Sequence, residues 1–431
     1  MQKQWESGIA YAEASDVGMR RANNQDSFVS VVSKTAEKFS SHGHLFVVAD
    51  GMGAHAAGEM ASQLATQYIS QRYLQVNGAT EETLELAFVE ANREIHRKGQ
   101  SNPEFHNMGT TASGLVINRY GASIAHVGDS RIYRLRNDCF EQLTYDHSLV
   151  WEIESNPEIK LNSWSGPIPK NVITRSLGPN ASVDIDIEGP FPVLPGDRFV
   201  LCSDGLTGVV EDDEIGALVG CLNPQDASRV LVDLANLRGG PDNITVTVVT
   251  VRPQENGSSP SMSDPPPSDA TTSDLFPYFA IIGCSLIVSV AAFFLVMLGS
   301  SWAYLPLILS LFAVIVSSLY RYRLLRVGKK QPVNQSALPK GLAPYRTYDA
   351  RPTTDLYTRL GQTVQALRDA SMENNWMMEW GAVDAEQMKG EKHLSNGQAD
   401  KAIQSQSKAI LNAMKQLREQ QNRAANETSI E

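Results

Sequence analysis

The chain has 431 residues, 42% of them apolar and 20% charged, a balance that excludes a wholly disordered or collagen-like polymer and leaves room for two or three domains. Lys and Arg total 37 against 48 Asp and Glu, a formal charge of −11, so nucleic acid, which recruits the opposite excess, is not an expected partner. The four cysteines, Cys139, Cys202, Cys221 and Cys284, stand far apart with no CxxC pair; this argues against a zinc knuckle or disulfide framework and leaves them as small apolar residues in a reducing compartment.

The N-terminal MQKQWESGIAYAEASD offers no apolar signal segment, so the residues that follow are expected to stay unexported. Residues 1 to 252 read as one soluble domain of mixed pattern. HLFVVAD (44 to 50), TTASGLVIN (110 to 118), ASIAHVGD (122 to 129), RFVLCSD (198 to 204) and NITVTVVTV (243 to 251) are strand-like runs bounded by Gly, Pro or Asn. Helical spacing marks 58 to 74 and 80 to 98, where Leu84, Ala87, Phe88, Ala91 and Ile95 recur at three and four. The runs 110 to 118 and 122 to 135, joined across Arg119 and Tyr120, predict an antiparallel hairpin rather than a crossover. The expected class is α+β, with helices covering sheet.

Residues 253 to 274 form a Pro/Ser-rich linker without periodicity. From Leu275 to Tyr320 there is no Asp, Glu, Lys or Arg, and about 20 helical residues suffice to cross a bilayer core. Residues 275 to 298 and 302 to 320 therefore read as a two-helix transmembrane hairpin, with lipid as its partner; a buried helical hairpin in a soluble protein is the alternative. Arg321, Arg323, Arg326, Lys329 and Lys330 follow at once, which places that flank in the cytoplasm. Two crossings return both flanks to one side, so the expected localisation is the inner (cytoplasmic) membrane, multi-pass, with both termini cytoplasmic.

Residues 321 to 431 form a tail, basic at first and then helical in pattern. Stretches 378 to 394 and 399 to 423 are split by Ser395, Asn396 and Gly397, and Gly390, Ala402 and Ala409 are spaced like one tetratricopeptide-type repeat. One repeat buries no core alone. Pairing with 353 to 370, self-association or a protein partner is expected, and so is a plain helical hairpin.

The chemistry stands where strands stop. Asp50 precedes Gly51, Asp129 follows IAHVG, Asp204 precedes Gly205, and Asp242 opens the last strand. One Asp-Gly after a strand is ordinarily a turn, but four carboxylates at sheet ends, with no His or Cys cluster beside them, suit magnesium or manganese rather than zinc or copper. Arg21, five residues before Asp26, would alone be a solvated surface pair.

Taken in order, SDVGMRRANNQDSF, DGMGAHAAGE, MGTT, VGDSRIYRL, LCSDGL and GGPDN make residues 1 to 252 similar to the metal-dependent protein serine/threonine phosphatases of the PPM, or type 2C, family, in its bacterial-type branch. The resemblance implies an αββα sandwich of two antiparallel sheets flanked by helices. Asp50 resembles the carboxylate that bridges two central ions, with the Gly51 carbonyl as a further ligand. Asp204 and Asp242 resemble the other direct carboxylates, and Asp129 a ligand of a third, weaker ion. Asp26 resembles the carboxylate that holds metal-bound water, and Arg21 the side chain that binds substrate phosphate.

The implied reaction is hydrolysis of phosphoserine and phosphothreonine in cytoplasmic proteins by water activated between two Mn2+ or Mg2+ ions, opposing a Ser/Thr kinase. Two positions depart from the family pattern. Met52 stands where eukaryotic relatives carry histidine, leaving His55 or metal-bound water as proton donor. Gln25 replaces a glutamate, so weaker metal binding is expected. The segment from Leu149 to Gly166 corresponds to the family's flap, and no substrate preference is readable in it. The reading from another class is a catalytically silent phosphoprotein-binding scaffold acting through the helical tail; loss of a direct ligand would point there, and none is lost.

Overall fold

In a computed structural model of the chain, the described residues are 8–53, 56–76, 78–155, 169, 172–252 and 343–428. The predicted linker, both predicted membrane spans, the basic cluster, His55 and residues 156 to 166 of the predicted flap lie outside them. Among the described residues no helix is long and apolar enough to cross a membrane.

Two antiparallel sheets are formed. One runs β1 (Ile9–Asp16), β11 (Ile244–Val251), β10 (Arg198–Cys202), β7 (Arg131–Arg136), β8 (Cys139–Gln142), β12 (Arg346–Asp349). The other runs β2 (Asp26–Val31), β3 (His44–Met52), β5 (Ala112–Asn118), β6 (Gly121–Val127), β9 (Asp186–Phe191), with β4 (Gly109–Thr110) beside the end of β3. Strand β3 displays the layering. Phe46 and Val48 share a cluster with Phe199, Leu201 and Val249 of the first sheet, whereas Leu45, Val47 and Ala49 pack with Ala61, Leu84 and Phe88 of α2 (Ala57–Gln75) and α3 (Thr80–Ser101). A strand covered on both faces reads as an unbroken apolar run, which is how this one looks in sequence.

The expected αββα arrangement of the first domain is thus present, with two corrections. The run 110 to 118 breaks at Thr111, whose N–H leaves the ladder and donates to the Asp50 carbonyl at 2.8 Å. The run 122 to 135 is not one strand either: β6 belongs to one sheet and β7 to the other. Gly128 makes the crossing at φ 115°, where a Cβ would also sit 2.5 Å from the Thr111 side chain. The crossing leaves Asp129 at the junction of the two sheets. Of the cysteines, Cys202 is buried as expected, but Cys139 is exposed.

The C-terminal segment closes the first sheet. β12 pairs with β8, Arg346 opposite Gln142 and Asp349 opposite Cys139. Helices α8 (Thr354–Glu373), α9 (Gly381–Ser395) and α10 (Ala399–Thr428) then cover the outer face together with α6 (Asp212–Cys221) and α7 (Pro224–Leu237). Leu356, Leu360, Ile403 and Ile410 join Val200, Leu218, Leu231 and Val246 in one core. Arg418 pairs with the buried Asp233 of α7, and Gln404 Nε2 donates to the Cys221 carbonyl at 2.7 Å. The predicted hairpin of 378 to 394 and 399 to 423 is present as α9 and α10, paired with α8, and the described residues up to Arg252 and from Ala343 onward belong to one compact unit.

Candidate active site

Antiparallel pairing of β2 with β3 sets Asp26 directly across from Asp50. The Asp50 backbone is held from three directions: its N–H donates to Thr111 Oγ1 at 2.9 Å, and its carbonyl accepts from Thr110 Oγ1 and from the Thr111 N–H, each at 2.8 Å. The first sheet delivers the rest. β10 runs out through Ser203 into the one-turn helix α5 (Asp204–Thr207), and Ser203 Oγ donates to Asp26 Oδ2 at 2.8 Å, tying the sheets together. Asp242 precedes β11. Its neighbour Asn243 accepts from the Gln25 N–H at 2.8 Å and donates to the Val17 and Asn23 carbonyls, each at 2.9 Å. That single amide pins the loop carrying Arg21, whose Nη2 lies 2.6 Å from Asp242 Oδ2.

Five carboxylates so gathered repel one another in a place short of water. Burial pushes the Asp50 carboxyl well up from its ordinary value, and the charges of Asp26, Asp204 and Asp129 add to this. Burial likewise raises Asp204, with the Asp242 charge next in effect. Asp26 is pushed up to about 7, burial outweighing the hydrogen bonds of Thr245 and Ser203 that favour its charged form. Asp129 is pushed up to about 8 by burial and then by Asp204 and Asp146. The Arg21 pKa is raised as well, which holds it cationic, first by its hydrogen bond to Asp242 and also by the charges of Asp242, Asp50 and Asp204.

These features fit a group of divalent cations. Asp26 Oδ1 and Asp129 Oδ1 are buried with no hydrogen-bond partner, and a carboxylate cluster of this density calls for positive charge that one arginine does not supply. The donors are all hard oxygens. Among the described residues no three His, Cys, Asp or Glu side chains are placed so as to hold one ion together. The carboxylates are linked in pairs instead: Asp26 across from Asp50, Asp50 close enough to Asp204 for each to shift the other's pKa, and Asp204 raised by the charge of Asp242. Gly51 lies within β3 opposite Thr110, and Met52 opposite Gly109.

Every aspartate singled out in the sequence, and Arg21, comes to this one edge of the sandwich. Sequence reasoning did not find Ser203, Thr111 or Asn243, which hold the carboxylates and the Arg21 loop. It also missed the layer behind Asp129. There Arg131 pairs with Asp146 at 2.7 Å and Asp212 at 3.2 Å. His147 N–H donates to the Gly128 carbonyl at 2.7 Å, while its Nδ1 accepts from the Gly128 N–H at 2.9 Å. Nδ1 is therefore the unprotonated nitrogen, and Nε2 donates to Asp186 Oδ2 at 3.0 Å. Burial lowers the pKa of His147, and that of His126 beside it to about 3. The only signal available was DHS at 146 to 148, a polar triplet inside a domain otherwise read by its apolar runs.

A family model described as protein phosphatase 2C matches residues 19–234. The chain is 35% identical over 246 residues to the protein phosphatase PhpP of Streptococcus pneumoniae, covering 56% of this chain and 96% of that protein. To the serine/threonine phosphatase stp of Listeria innocua it is 34% identical over 223 residues, 50% of this chain and 88% of the other. Among solved structures, the catalytic domain of the serine/threonine protein phosphatase PstP in complex with two manganese ions is similar, with 31% identity, TM-score 0.47 and coverage of 57% of this chain and 99% of that one.

Proposed function

Since the chain belongs to the protein phosphatase 2C family and is a metal-dependent phosphoprotein phosphatase, we propose that it removes phosphate from phosphoserine and phosphothreonine in cytoplasmic proteins, from a membrane anchor, using a dinuclear site. The observation that carries this reading is the convergence of Asp26, Asp50, Asp129, Asp204 and Asp242 from separate strands beside one phosphate-matching cation, Arg21.

Asp50, Asp204 and Asp242, with the Gly51 carbonyl, would hold two Mn2+ or Mg2+ ions, and Asp129 would help hold a third. Such ions, when bound, supply positive charge for the phosphate oxygens and lower the pKa of water so that it attacks near neutral pH. Arg21 offers a planar fork of donors that fits two phosphate oxygens. Its loop is held rigid through Asn243, so the fork is presented without being ordered at the moment of binding. Asp26, anchored by Ser203, keeps a proton-accepting oxygen beside Asp50. Gln25 removes one negative charge from this neighbourhood and is expected to weaken ion binding.

Membrane anchoring rests on the charge-free stretch from Leu275 to Tyr320 and the basic residues that follow it. With both flanks on the cytoplasmic side, the enzyme would sit at the inner membrane near a Ser/Thr kinase whose products it reverses. The C-terminal helices spend much of their apolar surface on α6 and α7, which makes contact with their own domain the main use of that surface. The test is hydrolysis of a phosphothreonine peptide by the full chain in detergent with Mn2+. Wild type should turn over, chelator should stop it, and Asp204→Asn should not turn over; equal rates for wild type and variant would refute the reading.

A further inference from the structure

Helix α4 (Leu149–Ser155) follows the Asp146–Ser148 triplet directly and is joined to Asp50 through residues 172 to 177 and Thr110. The Leu149 N–H donates to the Val172 carbonyl at 2.9 Å, the Thr174 N–H donates to His147, and Leu177 exchanges backbone hydrogen bonds with Thr110, whose hydroxyl reaches the Asp50 carbonyl. A helix of seven residues is marginal by itself, and only Trp151 and Ile153 of α4 are buried. Its placement therefore depends on side chains that reach it from elsewhere, and one of them, Arg346, comes from the C-terminal segment. The Arg346 guanidinium lies 3.9 Å from the centre of the Trp151 ring and Nη2 lies 2.7 Å from Glu154 Oε2. The same ring lies 5.9 Å from the Arg131 guanidinium, whose partner is Asp146. Next to Arg346, the Tyr345 ring meets Tyr145 edge-on at 5.6 Å, and Tyr145 in turn touches Trp151 at 5.3 Å and Ser155 Oγ at 3.1 Å.

We propose that Arg346, on a strand donated by the C-terminal segment, is a positioning residue for phosphoprotein substrates: it fixes α4 at the rim of the active site through Trp151 and Glu154. The proposal rests on the phosphatase reading above. A small phosphate ester reaches only the carboxylate cluster and Arg21, whereas residues flanking a phosphothreonine extend over the rim where α4 stands. Loosening α4 should therefore weaken the binding of peptides and leave the chemistry untouched.

The test uses the full chain in detergent with Mn2+, a phosphothreonine peptide and p-nitrophenyl phosphate. R346A is expected to raise KM for the peptide about fivefold, the scale of one solvent-exposed cation–ring contact, with kcat for both substrates and KM for the small ester unchanged. R346K should recover most of the loss, and E154Q should fall between wild type and R346A. An unchanged peptide KM in R346A, or an equal change for both substrates, overturns the proposal. Should R346A fail to fold, unchanged peptide KM values in R346K and E154Q overturn it equally. A readout independent of turnover separates this from the phosphatase reading itself: a Glu-specific protease should cut after Glu152 and Glu154 faster in R346A than in wild type. Equal cutting rates refute the clamp, whereas a wild type inactive on both substrates refutes the phosphatase reading.

Discussion

Arg21 Nη2 lies 2.6 Å from Asp242 Oδ2, so the cation assigned to substrate phosphate and a carboxylate assigned to the metal site share one contact. Charged hydrogen bonds of this kind contribute about 1.5 to 3 kcal/mol. Arg21→Ala should lower kcat/KM for a phosphothreonine peptide about ten- to hundredfold, and Arg21→Lys should recover only part, having charge without the fork. Steady-state kinetics at saturating Mn2+ checks this; a variant as active as wild type would remove Arg21 from the site.

Asp204 should show function and stability pulling in opposite directions. Its carboxylate is disfavoured first by burial and then by Asp242, so replacing it removes a costly charge. Asp204→Asn should abolish turnover yet melt at a higher temperature than wild type when both are held in chelator. Activity assays and thermal scans in EDTA test the two halves separately.

Acidity should act on the metal-free protein with a definite sign. Asp26 at about 7 and Asp129 at about 8 bind protons more tightly folded than unfolded. Their contribution is complete below their ordinary value of about 3.8 and is lost as pH rises through 7 and 8, at up to about 1.4 kcal/mol per pH unit for each group. His126, lowered to about 3, works on the acid side: its contribution is complete above its ordinary value of 6.5 and is lost as pH falls. Between pH 6.5 and 8 only the first effect operates. The melting temperature in chelator should fall across that interval, and Mn2+ should flatten the slope.

Gly205 tests how closely the turns carrying Asp204 and Asp242 must approach. A Cβ there would lie 1.9 Å from the Asn243 carbonyl oxygen, so the turn holding Asp204 and the strand entry holding Asp242 cannot both keep their places. Overpacking of this kind costs about 1 to 3 kcal/mol or more. Gly205→Ala should melt lower than wild type and lose activity, even though every carboxylate is retained.

Why some of this was readable follows from what each residue must satisfy. β3 and β11 are covered on both faces, and the apolar run of β3 and the β-branched Ile, Val and Thr of β11 announced them. β1, with Glu13 among small residues, and β9, an edge strand whose pairing with β6 shifts register between Ala122 and Ile124, carry no such run. β12 is RTYD, four residues whose strand character comes wholly from the ladder with β8. In the site, aspartates before glycine are visible as a motif because turn and ligand need the same two residue types. Ser203, Thr111 and Asn243 are single polar residues whose value lies in partners over 40 positions distant, and nothing local distinguishes them from surface serines and asparagines.

Cutting the chain after Arg252 should expose how far the tail supports the domain. Leu218 and Leu231 would lose Ile403 and Ile410 as neighbours, at about 1.5 to 3 kcal/mol for each large side chain returned to water. The truncated protein is expected to keep its carboxylate cluster, melt lower than the full chain and bind a hydrophobic dye. Equal melting temperatures would show that the tail adds nothing to the domain.

The place of β12 also sets an order of events during synthesis. β8 is made early, and its neighbour in the ladder emerges only after the linker and the long charge-free stretch have been translated. At about 5 to 20 residues per second the interval is on the order of ten seconds. Through that time the nascent chain already has Asp26, Asp50, Asp129, Asp204 and Asp242 in place, while β8 stands unpaired on its outer side. Competence toward large substrates would then be withheld until the ribosome has almost finished, so an interrupted chain would be a phosphatase that grips its targets poorly.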